Sequence, residues 1–449
     1  MNDREPNHSK PSKLSSFRSR YAYTVLGTLT LINLLNYVDR NIVAAVGKRI
    51  QDDLSLSQTE FGLVLSILII SYTIFSPLFG RLGDRYERRK LVAVGIALWS
   101  LATALSGVAR SFWQLLAARS FIGIGEASYA TIAPSLISDT FPQSRRGTAL
   151  GIFFAALPLG YAVGYIAGGV LSTHFDSWRI PMFIVGVPGL IMALAVLVMR
   201  EPVRGGMDQG ASARMDIEAD REGWLRAYWR VLKIPAFLWA SLGYSALTFA
   251  LGALSDWAPT FLQTDKGMDE QSANINLGLI VLVGGAIGTF SGGFISDRLL
   301  RFTSKSYFLV CGVTVALGAI PTLTAIGSSH TTIYIASIFA AVTLLFMSNA
   351  PVNAIVVNSV APNLRATAMA LCILMIHVLG DAVSRVAVGR LSDSIRDSVA
   401  DGSVSTVVTI LSNWLSLDPA RQHLSLALLI TPVAMIIAGV FFLVGMRRP

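Results

Sequence analysis

The chain has 449 residues, of which 53% are hydrophobic and 14% charged, and its formal net charge is +9. Soluble domains carry about 25% charged residues, so this chain has too few charges to cover a surface that faces water throughout. Its Lys and Arg residues lie in short clusters between apolar runs, which argues against a basic domain that binds nucleic acid. We therefore expect an integral membrane protein.

Twelve apolar runs follow one another along the chain, and each is long enough to cross a bilayer, which takes about 20 residues. The predicted spans 1 to 12 are 21–46, 59–80, 90–109, 112–137, 146–171, 180–199, 234–262, 275–296, 306–327, 331–358, 364–391 and 424–446. The runs predict an all-α membrane protein with twelve transmembrane helices. The two cysteines, Cys311 and Cys372, lie inside apolar runs, so we expect neither a metal site nor a cofactor.

The connections between the runs predict the domain organisation. We expect a tail over 1–20, a six-helix bundle over 21–199, a linker over 200–233, a second bundle over 234–446 and a tail over 447–449. Most Lys and Arg residues lie in segments that share one side of the membrane in this arrangement. Basic loops stay on the cytoplasmic side, so both termini and the linker are predicted to be cytoplasmic. The pattern around Trp224 and Trp229 predicts an interfacial helix in the linker.

The two predicted bundles resemble each other in sequence. Residues 159–172 read LGYAVGYIAGGVLS and residues 379–392 read LGDAVSRVAVGRLS, identical at eight of fourteen positions. Segments 80–85 and 293–298 form a second matching pair, since both end in Asp-Arg. Spans 2 and 8 therefore correspond, as do spans 5 and 11. Repeated six-helix halves are typical of secondary transporters, which bind substrate between the halves near the membrane midplane.

The loop after span 2, residues 80–90, reads GRLGDRYERRK. It resembles the signature loop of the major facilitator superfamily, although Glu87 stands where that family usually has Gly. The resemblance implies the major facilitator fold, with two pseudo-symmetric six-helix bundles and cytoplasmic charge contacts that break as the halves rock. The residues implied in these gating loops are Asp84, Arg85, Arg88, Arg89, Asp297 and Arg298.

Two further segments narrow the resemblance. Residues 36–40 read NYVDR, and residues 119–129 read RSFIGIGEASY. Both look like the Spinster family, whose members are linked to export of lysolipids and sphingosine phosphate. The resemblance implies proton-linked transport of an amphipathic, lipid-like or anionic substrate.

Spans 1 and 4 carry charged residues at membrane depth. Such residues are costly in lipid and usually face a cavity and serve function. We predict that Asp39 pairs with Arg119, and that Glu126, seven residues further along span 4, binds and releases the transported proton. Asp39 and Glu126 are the predicted proton-coupling residues. Arg40 and Arg119 would attract an anionic group of the substrate. The alternative for these residues is a static ion-pair network that fixes the helices.

Other spans contribute polar and small residues to the predicted site. His377, Asp381 and Arg385 are spaced four apart in span 11 and are predicted to line the cavity from the second half. Tyr129, Tyr161 and Tyr165 are predicted on its apolar wall, whereas Asp256 is expected at the membrane interface. The small residues of span 5 predict close helix packing; they are Gly160, Gly164, Gly168 and Gly169.

These features predict a secondary active transporter that works by alternating access as a monomer in the bacterial cytoplasmic membrane. Its expected partners are a small-molecule or lipid substrate, protons and the bilayer, with no nucleic acid. One alternative is a major facilitator transporter of sugars, drugs or other organic anions. A more distant one is a receptor or scaffold that transports nothing. A lipid-modifying enzyme is disfavoured because the sequence has neither HExxH nor GxSxG.

Overall fold

The computed structural model describes residues 13–204, 207, 224–361 and 364–447. The predicted N-terminal tail therefore lies mostly outside the described residues, as do the middle of the predicted linker and residues 448–449 of the predicted C-terminal tail. Within the described ranges the fold is entirely helical.

Spans 1 to 6 are built from seven helices. Their bounds are Lys13–Ala45 for span 1, Gln58–Arg85 for span 2, Arg88–Ser106 for span 3, Phe112–Thr140 for span 4, Gln143–Phe154 and Ala156–Phe175 for span 5, and Arg179–Val198 for span 6. A short helix, Gly47–Leu54, connects spans 1 and 2. Span 2 begins with a capping box, in which the side chains of Ser57 and Glu60 each accept the other residue's backbone N–H. This cap fixes where the helix starts.

Spans 7 to 12 follow the linker helix Trp224–Leu232. Their bounds are Pro235–Thr264 for span 7, Glu270–Leu299 for span 8, Ser306–Gly327 for span 9, Thr331–Phe346 and Asn349–Asn358 for span 10, Arg365–Ile376 and Ala382–Ala400 for span 11, and His423–Leu428 and Ile430–Gly445 for span 12. Span 11 extends beyond its predicted end at residue 391, and another helix, Thr406–Leu415, lies in the connection that follows.

Four spans are interrupted, and the sequence explains each interruption. Spans 5, 10 and 12 break three to four residues before Pro158, Pro351 and Pro432, because a proline has no N–H to donate the helical hydrogen bond to that turn. Span 11 instead contains a wide π-helical turn, His377–Asp381, in which Gly380 has non-helical dihedral angles. A side chain at Gly380 would collide with span 7, at Thr248 and Ser245.

Within the described residues, ten helical segments are long and apolar enough to cross a membrane. Spans 1 and 4 complete the twelve. They have 33 and 29 residues, enough to cross, but their polar and charged residues lower their apolarity. Most of the predicted site residues therefore lie in the two spans that are less apolar than the other ten.

The two halves meet along two pairs of helices, span 2 with span 11 and span 5 with span 8. The Asp393 carboxylate of span 11 accepts hydrogen bonds from the backbone N–H groups of Gln58 and Thr59, at 3.1 and 2.7 Å. It thus caps span 2 from the opposite half. Closer to the centres of the same two helices, the Ser66 hydroxyl donates to the carbonyl of Ala382 at 2.7 Å.

Further contacts join the ends of spans 1, 5 and 8. The Arg49 guanidinium reaches Glu270 Oε2 of the second half at 2.5 Å, and the Ser172 hydroxyl donates to Glu270 Oε1 at 2.8 Å. The Asn274 side-chain amide donates to the carbonyl of Ala45 at 3.0 Å. Except for the Ser66–Ala382 hydrogen bond, which lies deeper in the spans, these inter-half hydrogen bonds lie at the predicted external face.

Candidate functional site

A cavity of about 300 Å³ lies between the two halves. The first half contributes Arg40, Tyr37, Tyr161 and Tyr165 to its wall, while spans 7 to 12 supply most of the remaining, mainly apolar, lining. Its charged lining residues are Arg40, Asp381 and Arg385, and His377 lies beside them. A largely apolar pocket with a few convergent polar groups is typical of a small-molecule site.

Arg40 and Glu126 form the central ion pair of the first half. Arg40 Nη2 lies 2.6 Å from Glu126 Oε2, and Arg40 Nε donates to the same oxygen at 2.7 Å. The Glu126 side chain is fully buried, whereas that of Arg40 keeps 18% exposure on the cavity side. Glu126 Oε1 has no hydrogen-bond partner among the described residues. The Glu126 carboxylate therefore lies deeper in the protein than Arg40, which lines the cavity.

The direct ion pair at this site joins Arg40 to Glu126, whereas Asp39 and Arg119, the predicted pair, attract each other without a hydrogen bond between them. Asp39 is buried, and its carboxylate accepts a hydrogen bond from the Thr103 hydroxyl of span 3 at 3.4 Å. Arg119 is also buried, and its Nε and Nη1 find no partner among the described residues. Consecutive helical residues point about 100° apart, so Arg40 faces the cavity while Asp39 points into the bundle.

The second half holds its own charged cluster on the cavity wall. His377 Nδ1 lies 3.1 Å from Asp381 Oδ1, and Arg385 Nη1 donates to the Asp381 carbonyl at 2.7 Å. The Arg385 guanidinium also pairs with Asp256 of span 7. Asp256 was expected at the membrane interface, but it is buried. Its burial depends on Arg385 facing it from another span, which the local sequence does not reveal.

Tyr72 of span 2 lies between the two clusters, and no motif in the sequence marks it as a site residue. The Arg40 guanidinium is 5.1 Å from the centre of its ring, and the His377 ring meets it edge-on at 5.7 Å. A cation near an aromatic face is attracted by the ring. Arg40, Tyr72 and His377 therefore form a continuous contact from the first half to the second.

Tyr129 does not line the cavity. Its hydroxyl donates to the carbonyl of Leu29, and its ring packs against Trp99 and Phe153. It is 1% exposed and belongs to the core of the first half. Tyr161 and Tyr165 do line the cavity, and the Tyr165 hydroxyl donates to the carbonyl of Ser255 in span 7 at 2.6 Å.

The glycines of span 5 are packing positions. A methyl group at Gly160 or Gly168 would collide with Tyr37 or Ala45, and one at Gly164 would come 2.9 Å from Asn41 Cβ. These three glycines let span 5 lie directly against span 1. Gly169 instead faces Asn274 of span 8, so it allows close approach between the halves.

The predicted gating loops make their contacts within their own half or with the start of the linker. Arg88 is buried and pairs with Asp139 at 2.5 Å and with Glu201 at 3.4 Å. Arg89 donates to the carbonyl of Met199 at 3.0 Å. The Asp84 carbonyl accepts a hydrogen bond from Arg204.

The remaining members of these loops are at the surface. Tyr307 of span 9 donates to the Asp297 carboxylate at 3.0 Å. The side chains of Asp84, Arg85, Asp297 and Arg298 are exposed. The loop contacts described here therefore do not join the two halves at this face.

Comparison with known proteins gives the class first. The family model of the Major Facilitator Superfamily matches residues 29–384. A crystal structure described as a bacterial homolog to the human lysosomal transporter Spinster, in an inward-facing and unoccupied conformation, superposes with a TM-score of 0.83 at 23% identity. The superposition covers 95% of this chain and 97% of that one. The fold is thus that of the superfamily, with its twelve helices.

Relatives with higher sequence identity show to which family of the superfamily the chain belongs. Protein spinster homolog 3 of Danio rerio is 34% identical over 98% of this chain and 87% of its own length. Protein spinster homolog 1 of Homo sapiens is 36% identical over 83% of this chain and 73% of its own length. The chain belongs to the Spinster family of the Major Facilitator Superfamily. It is an integral membrane transporter with a small-molecule substrate, and not an enzyme.

Proposed function

We propose that this transporter couples proton binding at Glu126 to binding of an amphipathic, anionic substrate at Arg40. The observation that carries the proposal is the Arg40–Glu126 pair at the cavity wall, where the carboxylate is fully buried and the arginine is part-exposed. The substrate's anionic group and the Glu126 carboxylate would compete for the same guanidinium.

Competition of this kind links the two ligands. A proton on Glu126 removes the carboxylate charge, which leaves Arg40 with an uncompensated charge on the cavity wall. Because such a charge is costly to bury, Arg40 then binds an anion more tightly. Linkage is reciprocal, so a bound anion also favours the protonated Glu126. Proton and anion therefore bind together.

The rest of the cavity suits the apolar part of such a substrate. Spans 7 to 12 supply a mainly aliphatic and aromatic wall with residues such as Leu251, Phe261, Leu277 and Phe346. Asn349 adds a polar group at the start of the second segment of span 10, in the half of the span away from the predicted external face. A lysolipid or an amphipathic drug fits this combination better than a sugar, whose hydroxyl groups would lose hydrogen bonds with water against an apolar wall.

The inter-half hydrogen bonds lie at the predicted external ends of the spans or between those ends and the span centres, so we assign the structure to the state that opens towards the predicted cytoplasm. Its site would exchange substrate and protons with that side. Rocking of the halves would open the opposite side, as alternating access requires. The cytoplasmic position of both termini in the bacterial inner membrane, and the monomeric state, belong to the same proposal.

Uptake into proteoliposomes under an imposed pH gradient tests the function. A panel of lysolipids, amphipathic drugs and sugars should show gradient-driven flux for an anionic amphiphile. Flux of sugars alone would contradict the proposed substrate class, and absence of flux for the whole panel would contradict transport of that class.

Glu126→Gln tests the proton site, because glutamine resembles a permanently protonated glutamate. Binding of the transported amphiphile should strengthen as pH falls in the parent protein and lose this pH dependence in the variant, which should also lose gradient-driven accumulation. Asp418→Asn removes a carboxylate from an exposed loop and is the matched control. A variant that keeps the parent's pH dependence would exclude Glu126 as the proton site.

A further inference from the structure

The linker helix Trp224–Leu232 has two different faces. Val231 is fully buried, and Tyr228 and Leu232 pack beside it on a cluster that includes Phe237 of span 7 and Val356 of span 10. The helix thereby rests against the ends of spans that enter the membrane. It also contacts the start of span 11, at Arg365–Ile376.

The opposite face is aromatic and basic. Arg226, Trp229, Arg230 and Lys233 are exposed, and their spacing of three, four and seven residues places them on one stripe of the helix. Lys233 continues the helical turn, since its backbone N–H donates to the Trp229 carbonyl at 3.2 Å. Trp229 is 64% exposed, and the exposed side chain of Arg365 stands at the start of span 11.

We propose that this stripe binds the headgroups of anionic lipids in the leaflet at which spans 6 and 7 end and begin. Tryptophan favours the headgroup region, where its apolar ring and its N–H group are both accommodated. Basic side chains beside it extend their aliphatic stems along the surface and place their charges near lipid phosphates. Each such charge strengthens attraction to an anionic membrane surface by about fivefold.

A membrane surface fits this face better than a protein partner does. A helix of nine residues is about 13 Å long, whereas a stable protein interface buries about 800 Å² on each side. The stripe is too short for such an interface unless neighbouring surfaces join it. A lipid headgroup needs only two or three basic side chains, and the helix already lies where the spans enter the bilayer.

Fluorescence quenching by brominated lipids tests the proposal on the full chain in nanodiscs. The contribution of Trp229 is the difference between the parent protein and Trp229→Phe. With phosphatidylglycerol brominated near its headgroup, diluted into phosphatidylcholine, we expect stronger quenching of Trp229 than with the same amount of brominated phosphatidylcholine. Arg226→Gln with Lys233→Gln should weaken the preference for phosphatidylglycerol roughly 25-fold, and each single change about fivefold.

Arg301→Gln with Lys305→Gln is the matched control, because both residues are exposed on the loop before span 9 at the same face. This pair should keep the preference of the parent protein. Absence of quenching by either lipid would place Trp229 in water and overturn the proposal. Equal quenching by both lipids, or an equal loss of preference in the control, would show that the stripe does not recognise anionic headgroups.

Discussion

The contact between Arg49 and Glu270 should control how easily the two halves separate at the predicted external face. Glu270 belongs to span 8 of the second half, and it accepts hydrogen bonds from Arg49 and from Ser172 of the first half. Glu270→Gln removes the charge while keeping the shape of the side chain. We expect this change to favour the state that is open at that face.

The size of the effect follows from the geometry. A hydrogen bond to a charged group contributes about 1.5–3 kcal/mol, but the Arg49 side chain is 30% exposed and that of Glu270 12%, so solvent screening reduces this value. About 1.4 kcal/mol remains, which corresponds to a tenfold change in the ratio of the two states. High salt should act in the same direction, because the pair is partly exposed and added ions weaken its attraction.

Pulsed electron paramagnetic resonance measures the separation of the two halves at this contact. The spin labels are attached at Thr173→Cys and Gln271→Cys, which are exposed on opposite halves. The two native cysteines are buried and stay in place. Asp176→Asn is the matched control: Asp176 also pairs with Arg49, at 2.7 Å, but it belongs to the same half. If Glu270→Gln leaves the distance distribution unchanged, or if Asp176→Asn widens it equally, the pair does not hold the halves together.

Two other changes test the contacts between the halves. Gly62→Leu should push spans 2 and 11 apart, because a Cβ there would lie 2.6 Å from the carbonyl oxygen of Arg385; the same label pair should report a larger separation, and an unchanged distance would contradict the packing. Tyr72→Leu should lower gradient-driven uptake several-fold by removing the ring beside Arg40, worth roughly 1 kcal/mol. Tyr72→Phe keeps the ring and should retain uptake; equal loss in both would assign the effect to the hydroxyl.

Features that repeat along the chain could be predicted from the sequence, and features that depend on helix rotation could not. Ten of the spans follow from apolar length alone, and spans 1 and 4 follow from their length despite their polar residues. The choice between Asp39 and Arg40 as the partner facing span 4 depends on the rotation of span 1, and an error of one residue turns the side chain by about 100°. Asp256 was misplaced for a related reason, since its partner Arg385 lies 129 residues away in another helix.

The interruption of span 11 explains how its polar residues reach the cavity together. In a regular helix, residues eight apart point about 80° away from each other, so His377 and Arg385 would diverge. A π-helical turn accommodates one additional residue in the helix, which reduces that angle to about 20°. Gly380 permits the turn because span 7 passes directly against it. His377 can then face Tyr72 while Arg385, on the same wall, faces Asp256.

The two halves have different roles in the proposed transport cycle. The first half holds the buried carboxylate, Glu126, behind a single arginine on the cavity wall. The second half supplies most of the apolar lining and a charged cluster whose Asp381 has two neighbours, His377 and Arg385. Since Tyr72 touches both Arg40 and His377, a substrate anion that draws Arg40 away from Glu126 also disturbs the contact with the second half. In the proposed cycle, occupancy of the site and the relative position of the halves would therefore be coupled through this one ring.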